Sequence, residues 1–295
     1  MFVSKQISQG EIMKKSLHID IAQPTIMALT EITYKYIPYW NGFHPLKMSL
    51  LLPKERKGLS PRPLLIWVCG GGFESMDKDV WLPELVFYAR AGYIVASIEY
   101  RTHNLATFPG LLEDAKAAVR FLRAHAEDFL IDPERIAMAG ESAGGYLTTM
   151  AGVTGNTREF DVGENLDQSS ELQAVVNIYG RSDMIRGWYE KNNQGRIRNG
   201  TELLLGGKPD GIPEVYEKAS ASHYIRSDMP PFLLLHGTGD RMVPIEQNDL
   251  FYEQMTAAGN EVEYYTVEGA GHGAEEFYQT EIKNLVLAFL DKHLK

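Results

Sequence analysis

Eight short apolar segments alternate with longer stretches of helical periodicity along this chain, and no other feature limits the fold as strongly. Such alternation is typical of a mostly parallel sheet covered by helices on both faces. The predicted strands span residues 31–39, 46–52, 64–68, 93–98, 135–139, 174–178, 232–235 and 261–267. We expect the first two to form an antiparallel pair joined at Asn41-Gly42 and the others to be buried strands of an α/β fold.

Helical periodicity is clearest between Phe108 and Phe129, and two further helices are predicted over 143–151 and 281–294. Two polar stretches, around 154–170 and 183–222, lack sustained periodicity and are predicted to be insertions. Insertions at the carboxyl ends of parallel strands often form lids that shape a pocket, and a solvated connector is the alternative. We therefore expect an N-terminal extension over 1–30 and one α/β domain over 31–295 with a small lid.

Composition excludes several classes of function. The 29 basic and 39 acidic residues give a net charge of −10, which repels nucleic acid and anionic membrane surfaces. No apolar run approaches the roughly 20 residues that cross a bilayer, and charges interrupt any apolar core of signal-peptide length in the first 30 residues. A single cysteine rules out an internal disulfide. We expect a cytoplasmic protein that acts on a small molecule, with no nucleic acid partner and no membrane insertion; a homo-oligomer stays open.

The segment Gly140-Glu141-Ser142-Ala143-Gly144 directly follows one predicted strand and leads into a predicted helix. In this setting a Gly-x-Ser-x-Gly motif holds the serine on a sharp turn, and the glycines let strand and helix approach each other. The first amides of the helix are aimed at charge that develops beside the serine. A glycine-rich turn with a capping serine is the alternative. The motif predicts that Ser142 is the nucleophile of an acyl transfer.

A serine hydroxyl needs a base to take its proton, and His272 is the strongest candidate. It lies in Gly269-Ala270-Gly271-His272-Gly273, directly after the last predicted strand, where a mobile imidazole can reach a serine. Three other histidines that follow Ser142 are interpreted as packing, hydrogen-bonding or solvated residues: His223, His236 and His293.

Two aspartates follow strand ends between the serine and the histidine, and one of them should orient the imidazole. Asp240 comes after the strand 232–235 and precedes Val243-Pro244, one strand before the histidine loop. Asp183 comes one strand earlier and is better explained as a helix cap or part of a pocket wall. We therefore predict Asp240 as the acid and keep Asp183 as the alternative.

The loop Cys69-Gly70-Gly71-Gly72-Phe73 directly follows the strand 64–68 and offers backbone donors for an oxyanion. We predict an oxyanion hole formed by the amides of Gly71, Gly72 and Ala143. A phosphate-cradling loop is the alternative, but it lacks the Lys-Ser/Thr of a nucleotide site.

Four aromatic residues, Phe73, Trp81, Trp188 and Tyr189, could line a substrate pocket or pack in the core, and we take Phe73, Trp188 and Tyr189 as candidates for binding substrate. No cluster of histidine, cysteine and acidic residues appears at metal-ligand spacing, so we expect no metal and no cofactor.

With Gly-Glu-Ser-Ala-Gly-Gly, the triple glycine, His-Gly-x-x-Asp-x-x-Val-Pro and Gly-x-Gly-His-Gly in this order, the chain resembles the α/β-hydrolase carboxylesterases related to hormone-sensitive lipase. In these motifs it is most similar to the bacterial acetyl and feruloyl esterase-like members. The resemblance implies hydrolysis of short- to medium-chain, aryl or acetyl esters through an acyl-enzyme. Cys69 stands where much of the family has a histidine that braces the oxyanion loop, so the resemblance implies bracing from elsewhere.

The residues themselves support acyl transfer by an activated serine, and they do not distinguish an ester from an amide. A serine peptidase or amidase of the same fold is therefore one alternative. A small-molecule binding protein without catalysis is another, although such a protein is expected to lose part of the Ser, Asp and His set.

Overall fold

The predicted strands form one sheet in the computed structural model, which describes residues 16–189 and 200–295. Over these residues the sheet has eight strands: β1 (Ile26–Tyr39), β2 (Gly42–Pro53), β3 (Arg62–Val68), β4 (Ile94–Ile98), β5 (Ile131–Glu141), β6 (Ala174–Ile178), β7 (Phe232–Gly237) and β8 (Val262–Val267). Their order is β1-β2-β4-β3-β5-β6-β7-β8. β2 runs antiparallel to β1 and β4, and the other neighbouring pairs are parallel. The mostly parallel sheet is confirmed.

β1 begins at Ile26, earlier than the predicted start at residue 31. Its pairing with β2 shifts register between Leu29 and Ile32, and Glu31 in this bulge has a φ of 65°. A bulge interrupts the alternation of side chains between the two faces, so the sequence pattern becomes regular only after it. The predicted N-terminal extension is 1–30, and its last five residues, 26–30, belong to β1. Residues 16–25 carry no helix or strand, and residues 1–15 lie outside the described residues.

The described helices are α1 (Leu82–Arg90), α2 (Gly110–Ala124), α3 (Ala143–Val153), α4 (Met184–Tyr189), α5 (Gly200–Leu205), α6 (Pro213–Lys218), α7 (Glu246–Ala257) and α8 (Thr280–Leu294). Of these, α2, α3 and α8 were predicted. The sequence pattern missed α7 because polar Gln247 and Asn248 share its buried face with Phe251 and Met255, which weakens the apolar period. Within the described ranges, no helix combines the length and apolar character needed to cross a membrane.

Alternate side chains of the buried strands enter two separate apolar clusters, one on each face of the sheet. In β3, Leu64, Ile66 and Val68 join the cluster that contains residues of α2, α3 and α7. Leu65 and Trp67 point to the other face and join residues of α1 and α8. This period of two, with both faces buried, is the packing expected of a parallel sheet covered by helices.

Buried ion pairs hold the first predicted insertion, 154–170, against α2. Asp161 lies 2.9 Å from Arg120 and 3.4 Å from Lys116, both on α2, and all three side chains are almost fully buried. The second predicted insertion contains α4, α5 and α6, and residues 190–199 within it lie outside the described residues. Whether either stretch acts as a lid stays a prediction.

Loops that follow the parallel strands meet at one edge of the sheet. β3 leads into the triple-glycine loop and β5 into Ser142, while β7 and β8 lead to Asp240 and His272. Because the carboxyl ends of parallel strands lie side by side, segments far apart in sequence converge there.

Candidate active site

Ser142 sits at the tip of a sharp turn between β5 and α3, with φ 56° and ψ −119°. This conformation is strained for a residue with a side chain, and tight packing around it holds it in place. A Cβ on Gly140 would lie 2.6 Å from the backbone of Gly144, and one on Gly144 would lie 2.0 Å from the carbonyl oxygen of Val68. Both glycines are therefore required for strand and helix to cross at this distance.

A continuous hydrogen-bonded line joins the three side chains singled out from the sequence. Ser142 Oγ lies 2.8 Å from Nε2 of His272, and Nδ1 of His272 lies 2.7 Å from Oδ2 of Asp240. With the Nδ1 proton held by the carboxylate, Nε2 is free to accept the serine proton. The structure thus brings Ser142, His272 and Asp240 together across 130 residues of sequence.

The side chain of Asp240 is buried, and its surroundings stabilise the ionised carboxylate. Burial favours the neutral acid, but hydrogen bonds to His236 and His272 and from the amide of Val243 outweigh it and hold the pKa of Asp240 well below its usual range. Oδ1 accepts from the amides of Met242 and Val243 at 2.8 and 2.9 Å, which leaves Oδ2 for His272. The carboxylate is therefore fixed in position and charged when the imidazole becomes positive.

The alternative residues do not contact Ser142 and have other partners. Asp183 accepts a hydrogen bond from the amide of Arg186 at 2.9 Å and so begins α4, as its interpretation as a helix cap predicted. His236 is fully buried, with Nε2 2.9 Å from the carbonyl oxygen of Val243. His223 packs edge-on against Tyr224 and His293 against Phe289. Neither Asp183 nor these histidines contacts Ser142.

The triple-glycine loop lies beside Ser142 with positive φ angles at Gly71, Gly72 and Phe73. Among the described residues, the amides of Gly71 and Gly72 have no hydrogen-bond acceptor. Ala143 is the first residue of α3, so its amide lacks a partner within the helix. The three amides predicted to bind an oxyanion are thus free to do so.

Three side chains from separate parts of the chain brace the oxyanion loop. The Tyr100 hydroxyl donates to the carbonyl oxygen of Cys69 at 2.8 Å, and the amide of Gly70 donates to Oε1 of Glu141 at 2.6 Å. Trp81 also donates to Glu141 at 3.3 Å. These contacts take the place of the bracing histidine that the motif lacks. The bonded partners are 31 to 71 residues apart, so sequence spacing did not indicate that Tyr100 or Trp81 braces this loop.

Cys69 is a buried side chain rather than a reactive thiol. Burial, reinforced by the negative charge of Glu141, raises the pKa of its thiol to about 12. A thiol that stays protonated is a poor nucleophile. With its side chain buried, Cys69 packs in the interior behind the oxyanion loop.

Aromatic rings support the face of the imidazole. Tyr179, with φ 42°, packs edge-on against His272 at 4.8 Å between ring centroids. Its hydroxyl lies 3.2 Å from that of Tyr278, which stacks on Trp81 at 4.2 Å. Tyr179, Tyr278 and Trp81 therefore form a chain of contacts from His272 to the residues that brace the oxyanion loop. The sequence pattern did not indicate these contacts.

A cavity of about 90 Å³ opens beside the serine. Its described lining is Gly72, Phe73, Ser142, Ala143, Tyr146, Arg181, Gly200, Met242 and Val243. Phe73 is one of these lining residues, and its role in substrate binding stays a prediction. Trp188 and Tyr189 do not line this cavity: Trp188 packs edge-on against Tyr216, and Tyr189 is exposed and bonds Asp210. The sequence gave no prediction for Arg181.

Three residues with metal-binding donor atoms meet away from this site. The carboxylates of Glu261 and Glu263 and the imidazole of His293 have donor atoms within 4.8 Å of one another. Lys292 donates to both carboxylates at 2.6 and 3.0 Å and offsets one of their two negative charges. The group lies by the amino end of β8, at the opposite edge of the sheet from His272, and takes no part in the candidate active site.

Comparison with known proteins gives one family match. The BD-FAE family model matches residues 48–255. Esterase LipC of Mycobacterium tuberculosis is 34% identical over 79% of this chain and 58% of its own length. This chain spans about half the length of the curated relatives it matches.

Solved structures of similar fold include esterases of comparable length. A truncated carbohydrate esterase from gut microbiota is 25% identical, with a TM-score of 0.78 over 90% of this chain and 96% of the other. Esterase 2 of Thermogutta terrifontis, phosphoramylated by tabun, is 26% identical, with a TM-score of 0.75 over 90% of this chain and 94% of the other.

Proposed function

This chain belongs to the BD-FAE family and has the α/β-hydrolase fold, and from this premise we propose that it is a serine carboxylesterase that forms an acyl-enzyme on Ser142. The observation that carries the proposal is the line from Ser142 through His272 to Asp240, with separations of 2.8 and 2.7 Å, beside free backbone amides. Curated relatives named as esterases and a solved relative phosphoramylated by tabun give it further support.

In the first half of the reaction, Nε2 of His272 takes the proton of Ser142 while Oγ attacks the ester carbonyl carbon. The carbonyl oxygen becomes an oxyanion and accepts hydrogen bonds from the amides of Gly71, Gly72 and Ala143. The ester C–O bond then breaks, and the alcohol leaves with the proton that His272 returns.

In the second half, water attacks the acyl-enzyme carbonyl and gives a proton to His272. The bond between the acyl carbon and Ser142 Oγ breaks, and the serine recovers its proton from the imidazole. The carboxylic acid is released. Asp240 stays ionised throughout and stabilises the imidazolium in both halves.

The volume beside the serine favours short acyl groups. Pockets that enclose drug-sized ligands measure about 300–1,000 Å³, whereas the described residues here enclose about 90 Å³. We therefore propose acetyl and other short-chain esters as preferred substrates, with chain length and aryl or sugar alcohol as the variables to survey.

Hydrolysis of p-nitrophenyl acetate tests the proposal. Ser142→Ala and His272→Ala should each abolish turnover, while Ser60→Ala and His125→Ala, at partly or fully exposed sites remote from the site, serve as matched controls. Paraoxon should add a diethylphosphoryl group to the wild type, detected by mass spectrometry, and not to Ser142→Ala. Unchanged turnover in a folded Ser142→Ala variant would refute the assignment. Faster cleavage of p-nitroacetanilide than of p-nitrophenyl acetate would favour an amidase.

We propose the cytoplasm as the compartment. The proposal is supported by the single, buried cysteine, which is compatible with a reducing environment. Fractionation of cells that express the protein, followed by an esterase assay on each fraction, tests it; activity confined to the culture medium would contradict it.

A further inference from the structure

A line of buried polar side chains continues from Asp240 away from the serine. Nε2 of His236 lies 3.5 Å from Oδ2 of Asp240 and 2.9 Å from the carbonyl oxygen of Val243. On the other side of the ring, Nδ1 of His236 lies 3.0 Å from the side-chain nitrogen of Asn248. Asn177 follows, with its side-chain nitrogen 3.4 Å from Oδ1 of Asn248. These two asparagines and the histidine are fully buried and belong to three elements, β6, α7 and β7, which meet behind the acid.

One backbone amide sets the direction of the hydrogen bonds in this line. The amide of Gly180 donates to Oδ1 of Asn177 at 2.7 Å, so the Asn177 nitrogen is the atom that donates to Oδ1 of Asn248. The Asn248 nitrogen then faces Nδ1 of His236 and donates to it. Nδ1 therefore carries a lone pair, and the ring proton is on Nε2. An imidazolium would place an N–H group against the amide N–H group, so the ring is neutral.

The tautomer decides whether His236 attracts or repels the loop that carries the acid. With the proton on Nε2, the ring donates to the carbonyl of Val243, and the same N–H faces the carboxylate of Asp240. With the proton on Nδ1, a lone pair would face both oxygens and repel them, strongly so in a buried place. Val243 lines the cavity beside the serine, and Oδ2 of Asp240 is the atom that bonds His272. The acid and one wall of the cavity therefore depend on where this proton lies.

The far end of the line lies directly behind the nucleophile. A Cβ on Gly145 of α3 would lie only 2.7 Å from Oδ1 of Asn177. The amide of Ser142 donates to the carbonyl oxygen of Ile178, the residue that follows Asn177 in β6, at 3.0 Å. The line thus connects the strand that supports the serine turn with the loop that carries the acid.

We propose that Asn248 and His236 are positioning residues that hold Asp240 where its carboxylate bonds the catalytic imidazole. Asn248 keeps the proton of His236 on Nε2, and His236 directs that proton at the loop of Asp240. This inference rests on the proposed esterase function and adds two residues to the machinery of the same site. Neither is among the described residues that line the cavity, so their replacement should lower kcat and leave KM nearly unchanged.

The tautomer can be measured without substrate, by two-bond proton–nitrogen correlation spectra of protein that contains nitrogen-15-labelled histidine. His236→Gln identifies the signals of His236 by their loss. The wild type should show a neutral ring with its proton on Nε2. In Asn248→Asp a carboxylate oxygen faces Nδ1 in place of the amide N–H, so Nδ1 should become protonated.

Asn248→Asp should lower kcat for p-nitrophenyl acetate by about tenfold or more, with KM within about twofold, because small displacements of a catalytic group are costly. His236→Leu should show a similar loss. His236→Gln places an amide N–H near the position of Nε2 and should recover most of it. Asn260→Asp is the matched control and should leave kcat within about twofold. Asn260 lies just before β8, half-buried, and bonds the amide of Met229 and the carbonyl oxygen of Arg226.

Thermal unfolding of each variant separates positioning from stability, and the outcomes are distinct. A wild-type ring protonated on Nδ1, or an Asn248→Asp ring that keeps its proton on Nε2 alone, overturns the inference. An unchanged kcat in Asn248→Asp, despite a protonated Nδ1, also overturns it and leaves the esterase function standing. Equal losses of kcat in Asn248→Asp and Asn260→Asp, or no recovery in His236→Gln, do the same. If the wild type hydrolyses neither p-nitrophenyl acetate nor any other ester, the proposed function itself fails.

Discussion

The amide of Gly70 donates a hydrogen bond of 2.6 Å to the carboxylate of Glu141, the residue immediately before the candidate nucleophile. The turn that presents Ser142 is thereby fastened to the loop whose amides face the substrate oxygen. A Cβ on Gly70 would lie 2.6 Å from Glu141 Oε2, so the loop can approach only because this residue is glycine. Serine and oxyanion donors are held at a fixed separation by one carboxylate.

Glu141→Ala should lower kcat for p-nitrophenyl acetate by about tenfold or more with little change in KM, because misplaced amides affect the oxyanion more than the bound ester. Glu141→Gln keeps an acceptor oxygen and should lose less. Steady-state kinetics with thermal unfolding measures both effects. Glu74→Ala removes an exposed carboxylate of the same loop that does not contact Gly70 and serves as the control. A larger rise in KM than fall in kcat would contradict the bracing role.

Gly71 and Gly72 both have positive φ angles, yet they should differ in tolerance to alanine. A Cβ on Gly71 would lie 1.8 Å from the carbonyl oxygen of Ser75, whereas one on Gly72 meets nothing within 4 Å. Gly71→Ala should therefore lower the free energy of unfolding by at least about 2 kcal/mol. Gly72→Ala should cost only about 1 kcal/mol for its left-handed backbone. Chemical denaturation checks this order, and equal losses would contradict it.

Ser142, Asp240 and His272 could be paired from the sequence because each follows a predicted strand, and parallel strands bring such positions to one edge. The free amides of Gly71 and Gly72 follow from the same reasoning. Bracing by Tyr100 and Trp81 could not be predicted in this way, because both lie outside the helices and strands, where the sequence gives no periodic signal. The order of strands along the chain predicts where the ends of the strands lie, but it does not predict which side chains contact one another.

Trp188 and Tyr189 illustrate the same limit. Both lie at the end of the six-residue helix α4, which is too short for a sequence pattern to indicate which face is apolar. The structure turns Trp188 towards Tyr216 and leaves Tyr189 exposed, while Arg181, three residues after β6, lines the cavity. An aromatic residue in a polar stretch is a weaker indication of substrate binding than a position just after a strand.

Lys116 should make stability depend on pH. Burial lowers the pKa of this lysine from 10.5 to about 8, although Asp161 partly offsets the effect. Between pH 8 and 10 the unfolded chain keeps a proton that the folded chain has lost, so the free energy of unfolding gains a contribution that rises with pH. The gain is at most about 3 kcal/mol.

Urea unfolding at several pH values, with wild type and Lys116→Met compared at each, isolates this contribution because the tyrosines titrate in both. The difference between the two proteins should move in favour of the wild type as pH rises from 8 to 10. At pH 7 Lys116→Met still loses the hydrogen bonds to the carbonyl oxygens of Thr154 and Thr157. A difference that does not change with pH would show that the lysine titrates at its ordinary value.

Asp240→Asn should lower kcat by about 10³-fold or more, because an amide can bond the imidazole yet cannot stabilise its positive charge, and it can hold the wrong tautomer. Asp183→Asn is the matched control, since that side chain caps α4 and should leave kcat within about twofold of the wild type. Because the pKa of Asp240 is depressed, its carboxylate stabilises the fold above the ordinary aspartate pKa, and this contribution is lost only as pH falls below that value towards the folded-state pKa. Acid unfolding of Asp240→Asn should therefore show a weaker dependence on pH below about 4 than the wild type. Equal losses of kcat in the two variants would remove Asp240 from its proposed role.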